Sequence, residues 1–490
     1  MKCYGSWNIE GKETIGKCCI NEKKSINLTI DDINRIFNVI SRIDGKTDKG
    51  NIILLKSYLT DIHPQKSKYF CEYAILEEKI HEEEINIDSK FNYIKYKLNN
   101  LEKWLNIAKF ENWNYAENES NYNDDMFEIK NIIKLRNIKK IYLINNNEIK
   151  IYIEYEKHID RYLVEKVGNL NSFYYEPYIH IEYRNSKTLY EIDQEILMIN
   201  RFFSIFIGFA DEIPYYYVGN NNFNFKVYSR FIFACNVENK RGFEQKYFTE
   251  YEVIKSEISN LFGNWYKLYQ DKEYKLIFDF YFSSNSTIIE DKYLLVCKAL
   301  ESMYNKENII KEEQINNEEK INEIKNILFD GNDNNTEEKM KAFISNNNLA
   351  KSNKNIKGFV KEIPRVIIEY LYNKYLNKTS FGTKIQSYDE FQIYKDKFGK
   401  NDVYTGEYEN IYDYAGKTRN YFTHLSEIEN TYKENKLIKY IMIIDLIFLN
   451  KLLDRIGLDE KKREKIILDD ESYIMINIKS FSTSSNETLQ

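Results

Sequence analysis

Towards the C-terminal end of a 490-residue chain runs the string Ala415-Gly416-Lys417-Thr418-Arg419-Asn420-Tyr421-Phe422-Thr423-His424, and three of its side chains are of types that can act on one phosphate. On a helix, Asn420 and His424 are four positions apart and share a face, separated by about 40°. Arg419 stands about 140° from His424 and reaches that face only by bending its long side chain. A histidine with an ordinary pKa of about 6.5 takes the proton from a ribose 2′-OH, or returns one to the departing 5′-oxygen. A guanidinium forks onto the non-bridging oxygens as charge grows there, while Asn420 donates a further hydrogen bond or orients the other groups. The chemistry is metal-free RNA cleavage through a 2′,3′-cyclic phosphate, which DNA cannot undergo for want of the 2′-OH. One histidine supplies one proton handler where acid and base need two. The mechanism therefore asks for two copies of the motif about a two-fold axis, a homodimer. An Arg and a His at this spacing arise by chance in most chains of this size, so the spacing gains weight only from its surroundings.

No rival chemistry is legible elsewhere. His63 precedes Pro64, His81 lies beside Glu82-Glu83-Glu84, and His158 and His180 fall in strand-like segments, so each reads as a surface or packing residue. Cysteines 3, 18, 19, 71, 235 and 297 form no Cys-x-x-Cys pair and have no histidine at zinc-ligand spacing, which leaves them as reduced thiols. There is no Gly-x4-Gly-Lys-Ser/Thr loop, dinucleotide glycine pattern, His-Glu-x-x-His or Gly-x-Ser-x-Gly elbow, and no cofactor or metal is expected. The absence of a nucleotide-phosphate motif also disfavours a nucleotidyl-transferring enzyme. A net charge of −6 argues against a protein that coats nucleic acid, so an RNA substrate must meet a local basic patch. No window reaches the roughly 18 uninterrupted apolar residues of a membrane helix. The longest apolar run, 438–453, is broken by Lys439, Asp445 and Lys451 and reads as a buried or dimer-facing helix. Met1-Lys2-Cys3-Tyr4-Gly5-Ser6-Trp7 has no secretory pattern, so a cytoplasmic protein is expected. The wealth of Lys, Asn, Ile and Tyr fits an A/T-biased genome, which accounts for the tyrosines before base stacking does.

The elements that must position the motif make an α+β chain. Residues 1–285 read as a β-rich α+β domain with a few helices, built on antiparallel sheets. Strand-like segments include 25–30, 51–55 and 149–155, with tight reversals at Asp44-Gly45, Lys49-Gly50-Asn51 and Asn145-Asn146-Asn147. Two more, 170–175 and 178–183, flank Glu176-Pro177. From Thr188 to Gly208, Leu189, Ile192, Ile196, Ile199, Phe202, Phe203 and Phe206 recur at helical spacing. Strands return over 222–235 and a helix over 251–271. Residues 286–470 read as an all-α bundle, with helices from Leu294 to Tyr304, over 318–328, within 330–355, over 360–375 and 408–426, and over 435–456 closed by Gly457. The span 379–401 is loop-like, and residues 471–490 form a flexible tail.

Arg419-Asn420-x-x-x-His424, within these helices, resembles the Arg-x4-His motif of the HEPN superfamily, in which a polar residue follows the arginine. Residues 294–304, with Lys298-Ala299-Leu300-Glu301-Ser302, resemble the first long HEPN helix, and the helix from Asn435 the one after the motif. The resemblance implies that the first helix lies beside the motif helix, so that Glu301 faces the site as a supporting residue, with Tyr421 in the same role; a helix-surface or core-edge salt bridge is the equal alternative for Glu301. Gly5-Ser6-Trp7, the segment 192–203 and Asn264-Trp265-Tyr266, placed ahead of such a domain, resemble ApeA-type abortive-infection proteins of bacteria. That implies antiphage defence, with the N-terminal domain sensing a phage-derived trigger or restraining the nuclease. The alternative is a non-catalytic RNA- or partner-binding sensor that uses the helical domain to dimerise; such HEPN domains usually lack the arginine or histidine, and both stand here.

Overall fold

The N-terminal strands are set by side-chain alternation. The computed structural model describes residues 1–22, 25–31, 39–63, 66–77, 85–105, 140–159, 173–208, 213–220, 225–235, 248–283, 288–307, 381–393, 411–424 and 434–469. Strands β1 (Lys2–Ile9), β2 (Lys12–Glu22), β3 (Ser25–Ile30), β4 (Val39–Thr47), β5 (Gly50–His63) and β6 (Lys66–Glu77) are antiparallel and close into a barrel. Their order is β3-β2-β1-β4-β5-β6, and β3 pairs back onto β6. Every second residue points inward, so Cys3, Trp7, Cys18, Ile26, Leu28, Ile43, Leu54, Tyr69 and Cys71 share one buried core. Burial pushes the thiols of Cys3, Cys18 and Cys71 up, and these cysteines, with Cys297, are in no disulfide.

Asp44-Gly45 makes no reversal: both residues lie inside β4, Gly45 paired with Trp7 on one side and Ile52 on the other. The glycine is there for packing, since a Cβ at position 45 would overlap the Trp7 indole. The turn falls after Thr47 instead, closing on Gly50 at φ 108°.

Strand β6 is shared. Ser67–Phe70 pairs with β3 to close the barrel, while Tyr73–Glu77 pairs with the last strand of an open sheet. That sheet comprises β7 (Lys90–Tyr96), β8 (Ile141–Asn145), β9 (Ile149–Ile159), β10 (Phe173–Thr188), β11 (Tyr216–Gly219) and β12 (Phe225–Ser229), in the order β12-β11-β7-β10-β9-β8 from β6 outward. All pairs are antiparallel, as the alternating pattern predicts. The asparagines between β8 and β9 form the expected hairpin tip, where Asn146 Oδ1 accepts from the Glu148 and Ile149 amides. Glu176-Pro177 does not divide two strands, because β10 runs straight through it. The ladder to β7 begins only at Ile179, so Pro177 borders β9 alone and its missing N–H is tolerated.

After α1 (Leu101–Leu105), helix α2 (Leu189–Ile207) lies on the sheet. Thr188 and Glu191 form a reciprocal capping box at its start, and Gly208 ends it at φ 89°. Its apolar stripe is buried as the spacing predicts, Phe202 packing edge-on against Phe203, Phe206 and Phe262. Burial of each such ring contributes about 1.5–3 kcal/mol. One polar residue, Asp193, is also fully buried on α2. Its carboxylate accepts from the hydroxyls of Tyr73 on β6 (3.0 Å), Tyr216 on β11 (2.8 Å) and Ser229 at the end of β12 (2.7 Å). Burial outweighs those three donors and pushes the carboxyl up to about 7.

The expected strand over 222–235 ends at Ser229, and Arg230–Cys235 is helix α3. Ser229 Oγ accepts from the Ile232 amide and so starts it. Helices α4 (Tyr251–Ile254) and α5 (Ile258–Gln270) follow, with Trp265 Nε1 donating to the Met198 carbonyl of α2 at 3.1 Å.

By compactness the chain divides into Met1–Gln270 together with the segment from Leu452 onward, and Asp271–Lys451. The second unit contains α6 (Lys272–Ser283), α7 (Ile289–Lys306), α8 (Phe381–Tyr388), α9 (Ile411–His424) and most of α10 (Glu434–Arg455). Helix α11 (Glu460–Asp469) belongs to the first unit, where Asn264 Nδ2 donates to the Ile456 carbonyl at 2.9 Å. Asp445, which interrupts the apolar run of α10, is buried against Tyr281 of α6 and Lys292 of α7, and burial holds its carboxyl above the ordinary range. Part of the span read as loop, Phe381–Tyr388, is helical, because Phe381, Ile385 and Tyr388 bury one face. The helices expected over 318–328, 330–355 and 360–375, and the tail over 471–490, lie outside the described residues. The chain is α+β, β-rich in its N-terminal part and helical in its C-terminal part. Among the described residues no helix is long and apolar enough to cross a membrane.

Candidate active site

Helix α9 carries the motif, and its inner face fixes its place in the second unit. Ala415 and Thr418 are buried, and the Ala415 carbonyl accepts from Tyr293 Oη of α7 at 2.7 Å. The Tyr293 ring meets Phe422 edge-on. Gly416 faces Gly382 of α8, and Tyr412 Oη donates to Asp389 Oδ2 just beyond α8 at 2.7 Å. With these contacts inward, positions 419, 420 and 423 turn towards solvent.

Arg419 is held on two sides. Its Nη2 donates to Glu301 Oε2 of α7 at 2.8 Å, and its Nη1 to Asn420 Oδ1 at 3.2 Å. The Arg419 side chain is 30% exposed. Asn420 accepts with its oxygen, and among the described residues its amide hydrogens meet no acceptor. Tyr421 is half-buried with its ring against Phe422, on the flank of the motif. Thr423 Oγ1 donates back to the Arg419 carbonyl at 2.8 Å, tying down the final turn. His424 is the last helical residue, one turn beyond Asn420, and its side chain lies outside the described part of the structure. Arg419, Asn420 and Glu301 are thus brought together.

Sequence reasoning missed the other half of the cluster. Lys384 of α8 is buried and donates from Nζ to Glu301 Oε1 at 3.1 Å and to Asn305 Oδ1 at 3.0 Å. Asn305 was within reach of a sequence argument, since it follows Glu301 by one helical turn on α7. Lys384 was not, because no motif marks it and its segment has loop-like composition. Beneath Arg419, Cys297 of α7 is buried, and burial pushes its thiol up despite the nearby guanidinium.

A second titratable cluster lies on the open sheet of the first unit. His180 of β10 is buried, stacked on Tyr152 at 5.1 Å, with Nδ1 2.6 Å from Tyr93 Oη. Its Nε2 is 3.4 Å from Glu156 and 4.0 Å from Glu154. Each of those carboxylates is engaged by a lysine, Lys95 on Glu156 at 2.9 Å and Lys140 on Glu154 at 3.2 Å. Burial therefore wins, and with Lys95 and Lys140 it lowers the imidazole to about 3. A ring held neutral over the whole physiological range is a packing histidine, as its strand position predicts. Among the described residues no group of three His, Cys, Asp or Glu side chains is placed to hold a metal ion.

No curated protein and no solved structure matches the chain. A family model described as ApeA N-terminal domain 1 matches residues 2–265, which span the closed barrel, the open sheet and the helices packed on it. With more than half of its length so matched, the chain belongs to the family of ApeA-like proteins.

Proposed function

We propose that the chain is an endoribonuclease of the HEPN type that acts in antiphage defence by abortive infection, under the control of its N-terminal domain. The family match supports the defence role. The observation that carries the nuclease reading is the Arg419 guanidinium, held by Glu301 and Asn420 on the helix that ends in His424. A guanidinium oriented before substrate arrives stabilises a phosphorane without reorganisation, which is where electrostatic catalysis gains most. In this reading Arg419 binds the non-bridging oxygens, Asn420 donates its amide hydrogens to the same phosphate, and His424 moves the proton at the 2′- or 5′-oxygen. Glu301 aligns Arg419, and Tyr421 flanks the motif. Two chains supply the two histidines of a complete acid–base pair, so the active species is a homodimer.

The test is to incubate the full chain and its Arg419→Ala and His424→Ala variants with RNA in EDTA and to analyse the product ends. Wild type leaves 2′,3′-cyclic phosphates, and each variant loses cleavage by about a hundred-fold or more. Equal cutting by wild type and variants removes the assigned site, and arrest by EDTA removes the metal-free mechanism.

A further inference from the structure

We infer that Lys384 is a positioning residue, which acts through Glu301 to fix the Arg419 guanidinium. The inference rests on the nuclease reading above for its effect on catalysis, but its geometry is independent of that reading. A lone ion pair between Arg419 and Glu301, whose side chains are 30% and 25% exposed, has little power to hold one rotamer. Lys384 changes this. Its side chain is only 10% exposed, and its ammonium contacts Glu301 Oε1, Asn305 Oδ1 and the face of the Tyr304 ring, 5.5 Å away. Three fixed contacts leave the ammonium no alternative position, so it locks the Glu301 carboxylate by one oxygen. The other oxygen then offers a stationary acceptor to Arg419 Nη2. Arg419 thereby takes its orientation from α8, which contributes no residue of the motif. The contacts of Lys384 among the described residues are with Glu301, Asn305 and Tyr304, so its role is to position Glu301 and, through it, Arg419.

Two readouts on the full-length protein test this. The first is RNA cleavage by wild type, Lys384→Met, Lys384→Arg, Glu301→Gln and the Lys384→Met/Glu301→Gln double variant, with kcat and KM separated. Lys384→Met is expected to lower kcat about ten- to a hundred-fold while KM stays within about two-fold. Lys384→Arg restores most of the rate, and the double variant is no slower than Glu301→Gln alone, because both changes break one chain of contacts. The second readout needs no activity: the guanidinium NMR signal of Arg419 in arginine-labelled protein, assigned by its loss in Arg419→Ala. Restricted rotation in wild type should become free in Lys384→Met and restricted again in Lys384→Arg. Should Lys384→Met not fold, Lys384→Gln poses the same question with a polar isostere.

An unchanged kcat and guanidinium signal in the Lys384 variants, with cleavage still abolished in Arg419→Ala, overturns the inference and leaves the nuclease standing. Multiplicative effects of Lys384→Met and Glu301→Gln also overturn it. Cleavage unaffected by Arg419→Ala sinks the nuclease reading instead, and the guanidinium signal then decides the role of Lys384 alone.

Discussion

Replacing Asp193 by asparagine should abolish a pH dependence that the wild-type N-terminal unit carries in its core. Asp193 is fully buried, takes three hydroxyl hydrogen bonds and has no cation among those partners, and burial raises it from 3.8 to about 7. An acid raised on folding stays protonated in the native state while the unfolded chain ionises, so its contribution falls as pH rises from about 4 to about 7 and is constant above. At about 1.4 kcal/mol per pH unit the full loss is about 4 kcal/mol, of which about 3 kcal/mol falls between pH 5 and pH 8. Asparagine keeps an acceptor for Tyr73 and Ser229 and turns a donor to the Tyr216 oxygen, without a charge to bury. Leucine in its place would strand three buried hydroxyls at about 1–3 kcal/mol each at every pH. All four tryptophans lie within residues 1–270, so urea unfolding followed by tryptophan fluorescence reports on this unit. The stability of Asp193→Asn relative to wild type should rise by about 3 kcal/mol from pH 5 to pH 8. A constant difference across that range would refute the buried, titrating carboxyl.

His180 should show the opposite sign. Its imidazole is lowered to about 3 against an ordinary 6.5, so its stabilisation is complete above the unfolded value and drains away as pH falls towards 3. Between pH 7 and pH 5 the wild type loses about 2 kcal/mol that His180→Gln does not, and the same fluorescence assay would expose parallel curves if the ring were solvated. Gly45→Ala should lower the thermal midpoint through a clash worth about 1–3 kcal/mol with the Trp7 indole. Combining it with Trp7→Leu should recover part of that loss, and no recovery would mean that the glycine serves the backbone instead.

How much of this could be read from the chain depends on how local its cause is. Helix α2 was legible at both ends, since Thr188, Glu191 and Gly208 are local signals and its stripe has a helical period. Barrel closure was not, because the pairing of Ile30 with Ser67 joins segments whose own sequences say only "strand". Gly45 misled for a related reason: its glycine answers Trp7, a residue distant in sequence, and only local context was available. At the site, Arg419, Asn420 and Glu301 were marked by motif and helix placement, and the structure brings their side chains together. Lys384 and the hydroxyl cage around Asp193 escaped, since both are defined by partners on other elements.

The sharing of β6 has a consequence for how the N-terminal unit can yield. Its amides lie between β5 and β3 at one end and between β5 and β12 at the other, so the barrel and the open sheet draw on one strand for their register. A shift of β6 along its axis would break both ladders together, and with them the Tyr73 hydroxyl that reaches Asp193 on α2. The two β layers therefore behave as a single mechanical element, and a force that loosens the barrel wall is felt at the buried carboxylate of the helix on the other side of the sheet.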